Sequence, residues 1–386
     1  MKKDLKLAYE SDASGLKGAV REVLFPMNIE QVRDFVKKAD NIVVRGGGTG
    51  LAGGAVPHDS IVMDLSKMNK ILDLDLDKGE VYVESGIILN ELNEYLKDYG
   101  LEFPVQPGSF WICTIGGMIA TNAEGSRAVK YGKTSNWVKE IEVVDGRGEI
   151  LKIGKSDLHD IAGMEGITGV IVKARLKLES LKERTASLFK FSSKENVVDA
   201  VRKFKLMSDV SMIEFYDKTI SSLLDLDEAY HLLVEFESDR GNMKGKDYFK
   251  IIKIRAMVYP SLATLGYVRI EDPKIFIGKF PEFAEWLEQE KIPFYGHLGD
   301  GLIHPVFHSD EDHKIKEMMY RVRKLHGKVS GEHGIGITKK EFLDPNEIKL
   351  IKRLKNRYDP VCKINCGKVV DPREKSEKEE IFTNES

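Results

Sequence analysis

His297 and His304 stand on either side of Leu298-Gly299-Asp300-Gly301-Leu302-Ile303, a spacing at which two imidazoles can meet. Asp-Gly between extended apolar residues is a strong signal for a two-residue hairpin turn with positive φ at both positions. With Asp300-Gly301 as that turn, Leu298 faces Ile303 and His297 faces His304. The rings are then cross-strand neighbours, with β-carbons about 4.5–5.5 Å apart. Two histidines so placed can chelate one ion, although a pair of hydrogen-bonded structural histidines fits the same residues. His308 shares the strand parity of His304 and is either a substitute ligand or an exposed loop histidine. Further on, Ser330-Gly331-Glu332-His333-Gly334-Ile335-Gly336 sets a carboxylate beside an imidazole between glycines. That is a site or a plain helix-to-loop corner.

Three glycine-rich stretches suggest a second kind of chemistry. Arg45-Gly46-Gly47-Gly48-Thr49-Gly50-Leu51-Ala52-Gly53-Gly54 follows an apolar run directly. Glycines let the backbone approach a ligand closely and turn its N–H groups inward, as a pyrophosphate requires. Gly48, Gly50 and Gly53 satisfy the dinucleotide fingerprint, but Pro57 and the apolar run Ile61–Leu65 leave no room for the helix a Rossmann unit needs. Alone, the loop reads equally as flexible surface. Pro107-Gly108-Ser109 with Thr114-Ile115-Gly116-Gly117-Met118-Ile119-Ala120-Thr121-Asn122-Ala123 forms a second such segment, and Glu165-Gly166-Ile167-Thr168-Gly169-Val170-Ile171 a third.

The elements that must position these groups follow from periodicity. Gln31–Lys38 and Ile88–Lys97 have helical apolar spacing, while Asn41–Val44, Ile61–Leu65 and Glu80–Ser85 read as strands. Ile141–Val144 and Ile150–Ile153 form a hairpin across Asp145-Gly146-Arg147-Gly148. Past residue 180 the texture changes: strands such as His231–Phe236 alternate with long helices over about Lys246–Leu265 and Glu311–Lys328. Asp344-Pro345-Asn346-Glu347 announces one more helix through an N-cap, a first-position proline and a capping-box glutamate. The division expected is 1–180, 181–330, 331–370, and a charged tail, 371–386, read as disordered. A net charge of −3 gives no basic excess for nucleic acid. The chain opens on charged residues without a signal-peptide core, and no apolar run reaches the ~18 residues of a membrane span, so the cytoplasm is expected. Cys113, Cys362 and Cys366 are too few and scattered for a disulfide framework or a four-thiolate cluster.

In order and wording, the three glycine-rich segments resemble the FAD-binding domain of the vanillyl-alcohol oxidase family. Within it they are most similar to the branch holding D-lactate dehydrogenase, the FAD-linked glycolate oxidase subunit and D-2-hydroxyglutarate dehydrogenase. The resemblance runs from Arg45 to Lys368. It implies an α+β chain: a two-subdomain FAD-binding domain, an α+β cap domain for substrate and a short helical C-terminal segment. It places FAD against Gly46, Gly47, Gly48, Thr49, Gly50 and Leu51, then Pro107, Gly108, Ser109, Thr114, Ile115 and Gly117. Ala120, Thr121 and Asn122 lie against the flavin ring, and Gly169 and Ile171 pair with the cofactor. The first loop has no histidine, so the flavin is expected to be non-covalent. The same resemblance makes His297, His304 and Glu332 ligands of zinc or manganese, His333 the base, and Arg255 the substrate-carboxylate partner. The reaction implied is oxidation of a small 2-hydroxy acid, with oxygen, a quinone, a carrier or an iron–sulfur partner subunit taking the electrons. Val306 and Ile270 stand where the 2-hydroxyglutarate enzymes carry polar residues, which favours lactate, glycolate or a longer aliphatic acid. Cys366 replaces a usual proline. Peripheral membrane association and self-association stay open. The alternatives are a flavin subunit without hydroxy-acid chemistry, or a non-redox flavin enzyme.

Overall fold

The computed structural model describes residues 6–372, so the tail beyond Pro372 lies outside the described residues. β-Branched runs build the first layer. Ala19–Leu24, His58–Asp64 and Ile42–Arg45 form a three-stranded parallel sheet in that order. The helix Ile29–Lys38 packs Val32 and Val36 on it and starts at Asn28, whose side chain accepts the Gln31 N–H. The second sheet is antiparallel, in the order Ile71–Asp75, Glu80–Glu84, Val170–Lys177, Val138–Val144, Ile150–Gly154. Its Asp145 carboxylate accepts the N–H groups of Arg147 and Glu149, which closes the expected hairpin. The helix Leu89–Lys97 buries Leu89, Leu92 and Leu96 against this layer.

The third sheet has six strands: Thr185–Phe191, Tyr230–Phe236, Val210–Tyr216, Phe294–His297, His304–His308 and Tyr267–Ile270. Alternation along the strands gives its faces different tasks. Phe215, Phe294 and Phe307 enter a core with helices Lys194–Phe204, Phe280–Gln289 and Asp312–Lys324. Met212, Tyr216, Leu233 and Val306 point the other way, beneath helices Gly245–Ala256 and Val258–Thr264. By parity Glu214, His297 and His304 belong to this second face.

Some expectations are corrected. The single helix over Lys246–Leu265 is two, broken at Met257, because Pro260 in the first turn of the second helix cannot donate to a preceding turn. The helix expected over Glu311–Lys328 stops at Lys324; His326 turns left-handed (φ 58°) and Lys328 pairs its backbone with Lys274. Cys362 and Cys366 are joined in a disulfide, because left-handed residues at Cys362 (φ 52°) and Asn365 (φ 49°) fold the loop until their Cα atoms lie 5.2 Å apart. The helix Pro345–Tyr358 begins with the expected Asp344/Glu347 capping box. Among the described residues no helix is long and apolar enough to cross a membrane.

One buried ion pair fastens the six-stranded sheet to the half that carries the glycine-rich segments. Arg127 meets Glu235 through Nε–Oε1 at 2.8 Å and Nη2–Oε2 at 3.1 Å, and Tyr248 donates its hydroxyl to Glu235 at 2.6 Å. Burial alone would raise the Glu235 carboxyl, but Arg127, with Arg184 and Tyr248 behind it, outweighs burial and holds it at about 2. A carboxyl depressed on folding stabilises the fold above its unfolded pKa and loses that contribution as pH falls through the folded one. Glu235→Gln strands a buried guanidinium and is expected to cost about 3–5 kcal/mol at neutral pH in urea unfolding. The gap between wild type and variant should narrow as pH falls from 4.5 toward about 2.

Candidate active site

The first glycine loop leaves its backbone donors unpaired. Gly47 through Leu51 have backbone N–H groups that meet no acceptor among the described residues. A β-carbon on Gly46 would lie 2.3 Å from Thr114 Oγ1, and one on Gly47 2.3 Å from the Ile112 carbonyl oxygen, so the loop rests backbone-to-backbone on the second segment. A β-carbon on Gly50 or Gly108 would meet nothing within 4 Å. Ala120 accepts the Glu165 N–H at 2.7 Å, which brings the third segment against Ala120–Asn122. Gly169 precedes the strand Val170–Lys177 that carries Ile171, and a β-carbon on it would lie 2.5 Å from Val143 Cγ1. The Ser85 and Thr168 hydroxyls are buried without a partner beside these segments. Open N–H groups and orphaned hydroxyls around a backbone cradle fit an FAD pyrophosphate and ribityl chain.

Glu165 links this cradle to the Glu-His-Gly loop. Its two carboxylate oxygens accept the N–H groups of Ile335 at 2.6 Å and Gly336 at 2.9 Å, and Ile337 donates to Ala52 of the first loop at 2.7 Å.

Glu332 sits among three imidazoles. Its Oε1 is 3.3 Å from His304 Nε2, 3.5 Å from His333 Nε2 and 3.9 Å from His297 Nε2. Candidate ligand atoms of His297, His304 and Glu332 lie within 4.8 Å of one another. Burial would raise Glu332, yet His304 and His333 beside it keep the carboxyl well below its ordinary range. The hairpin expected to bring the histidines together is different. Leu298–Asp300 forms a 3₁₀ turn and only Gly301 is left-handed (φ 78°), so Tyr295, not His297, faces His304. The reason is competition from a third segment: Ile303 donates to Pro273 and Ile275 to Gly301, which pulls 301–303 onto 273–275. The rings of His297 and His304 nevertheless end 5.2 Å apart. His308 turns away, with Nδ1 3.0 Å from the Gly266 carbonyl and its ring on Tyr267.

Each imidazole is oriented by its other nitrogen. His297 Nδ1 lies 2.7 Å from Glu214 Oε2, and His304 Nδ1 3.3 Å from the Glu271 carbonyl. Burial would lower the His333 imidazole, but Asp272 and Glu332 together outweigh it and raise its pKa. Arg255 is in the same cluster, with Nε 3.3 Å from Glu214 Oε2. Glu214, Glu165, Asp272 and Lys339 were not singled out from sequence. Glu214 did leave a trace: it is the one carboxylate in Val210–Tyr216, a strand buried at every position, and a buried charge needs a partner.

Residues 20–154 match the FAD binding domain family, and residues 280–369 match the C-terminal domain of FAD linked oxidases. A D-lactate dehydrogenase of Archaeoglobus fulgidus is 32% identical over 90% of this chain and 91% of its own. A D-2-hydroxyglutarate dehydrogenase of Stutzerimonas stutzeri is 27% identical over 90% of each chain. Among solved structures, an alkyldihydroxyacetonephosphate synthase superposes with a TM-score of 0.68 at 18% identity, covering 97% of this chain and 81% of that one, a likeness of fold.

Two glycines of the first loop should behave oppositely. Gly47→Ala forces a backbone carbonyl aside and is expected to lower the melting temperature with or without FAD. Gly50→Val meets open space in the protein and should leave the melting temperature of the flavin-free form unchanged while lowering the ratio of flavin to protein absorbance. Equal loss of stability in both would remove Gly50 from the cofactor cradle.

Proposed function

The chain belongs to the FAD-linked 2-hydroxy-acid dehydrogenases, and from that premise we propose how its residues oxidise a lactate- or glycolate-type acid. The observation that carries the reading is Glu332 Oε1, placed between His304 Nε2 at 3.3 Å and His333 Nε2 at 3.5 Å. One carboxylate thus touches both a candidate metal ligand and the candidate base.

His297, His304 and Glu332 would hold a divalent ion, zinc or manganese. Two imidazoles and one carboxylate leave positions open, as a catalytic rather than a structural metal requires. Such an ion would lower the pKa of the substrate hydroxyl and, as a nearby positive charge, would disfavour the imidazolium form of His333. FAD, bound without a covalent bond, supplies the hydride acceptor.

His333 takes the hydroxyl proton. Its Nδ1 faces Asp272 Oδ1 at 3.6 Å, which favours the tautomer with the proton on Nδ1 and leaves Nε2 to accept. Arg255 offers its guanidinium to the substrate carboxylate while Glu214 steadies Nε. Val306 pairs directly with Ile270, and both join the apolar cluster that includes Tyr295, so this wall suits an aliphatic substituent better than a second carboxylate. The electrons leave to an external acceptor: oxygen, a quinone, a soluble carrier or an iron–sulfur partner.

His304→Ala should lose bound metal but keep FAD, measured by elemental analysis and visible absorbance. His333→Ala should keep both and slow anaerobic flavin reduction by at least about 10²–10⁴-fold with the best of a panel of D- and L-2-hydroxy acids. Wild-type reduction by His333→Ala would refute the base, and unchanged metal in His304→Ala would refute the ligand set. Acid precipitation should leave the yellow colour in the supernatant.

A further inference from the structure

Asp272 is wholly buried two residues beyond the edge strand Tyr267–Ile270. Its Oδ2 accepts four donors: the Ser330 hydroxyl at 2.8 Å and the N–H groups of Gly331 at 3.0 Å, Glu332 at 2.8 Å and His333 at 2.7 Å. Its Oδ1 receives the Lys339 ammonium and lies 3.6 Å from His333 Nδ1. Glu271 beside it meets Lys339 at 3.0 Å and offers its carbonyl oxygen to His304. This two-residue segment therefore reaches a candidate ligand, the Glu332 backbone and the candidate base.

We propose that Asp272 is the positioning residue of this active site, fixing Glu332 and His333 in one turn and setting which nitrogen of His333 meets the substrate. The proposal rests on the reading of His333 as base. Three successive N–H groups aimed at one oxygen leave the backbone of 331–333 a single course. An ionised carboxylate is the side chain that can accept all of them, a hydroxyl and an ammonium with no donor of its own. Ordinary loop stabilisation would be served by the four Oδ2 bonds alone. Oδ1, facing His333 Nδ1, a buried ring nitrogen that finds no hydrogen bond, marks the further role.

Asp272→Asn separates the two roles, because the amide keeps one oxygen for the N–H groups but turns an NH₂ toward Lys339 and His333. In stopped-flow experiments with saturating 2-hydroxy acid, the flavin-reduction rate should fall about 10–100-fold. FAD content, and the dissociation constant of the 2-keto acid read from flavin spectral perturbation, should stay near wild type. If Asp272→Asn does not accumulate folded, Asp272→Glu replaces it, keeping the charge but shifting the turn by one methylene, with the same expectation. A wild-type reduction rate, or equal loss of keto-acid binding and reduction, overturns the proposal. His333→Ala measured in parallel separates the failures. Normal reduction there removes the base and this proposal together; slow reduction there beside a normal Asp272→Asn removes this proposal alone.

Discussion

Two buried carboxylates gripping the backbone of one glycine-rich loop hold this molecule's halves in register. Asp272, just beyond an edge strand of the six-stranded sheet, collects the N–H groups of residues 331–333; Glu165, in the third glycine-rich segment, collects those of 335 and 336. A loop of this composition has little side-chain surface of its own to bury. Its course is therefore set by where its N–H groups find acceptors, since a buried N–H left unpaired costs about 1–3 kcal/mol. Glycine is needed where the grip is closest: a β-carbon on Gly336 would lie 1.9 Å from the Ala52 carbonyl oxygen, and Gly336 is left-handed at φ 48°. With both grips in place, Glu332 and His333 project from a backbone fixed against both the cofactor cradle and the histidine strands.

The sheet face opposite the aromatic core carries more charge than a buried surface normally tolerates, and the charges come in partnered sets. Glu214 has Arg255 and His297; Glu235 has Arg127, Arg184 and Tyr248; Asp272 and Glu271 share Lys339. Such pairs add little net stability over apolar residues of similar size, because desolvation offsets their attraction. What they provide is orientation. Each of the three site imidazoles has its Nδ1 turned toward an oxygen, so each Nε2 faces Glu332.

Much of this was legible in the sequence, and the reasons for the rest are specific. The chain's three glycine-rich segments, the helix announced by Asp344-Pro345 and the hairpin across Asp145–Gly148 follow from local chemistry, so local reading reached them. Asp300-Gly301 has the same local signature as a tight hairpin, yet it forms a wider turn because residues 273–275 compete for the backbone of 301–303. That competitor is distant in sequence, and no short-range rule contains it. Glu165, Glu214 and Asp272 escaped for a related reason: their partners are backbone N–H groups or side chains more than forty positions away. A lone carboxylate inside an apolar strand is the trace such residues leave, and it indicates that a partner exists without naming it.

The charge around the imidazoles also bears on why this site would take a divalent ion. Among the described residues the fixed cations paired with Glu214, Glu271, Asp272 and Glu332 are Arg255 and Lys339, so these four carboxylates outnumber their paired cations by two when the histidines are neutral. In a poorly solvated site that excess must be met, because isolated buried charge is costly. One means is protonation of an imidazole, the direction in which Asp272 and Glu332 pull His333. The other is a dication between His297, His304 and Glu332, which balances the excess and leaves His333 free to accept a proton. The two are exclusive at His333, since a base already carrying its proton cannot take another. On the proposed reading, the carboxylate count that would draw a metal to the hairpin is thus the same count that would otherwise protonate His333.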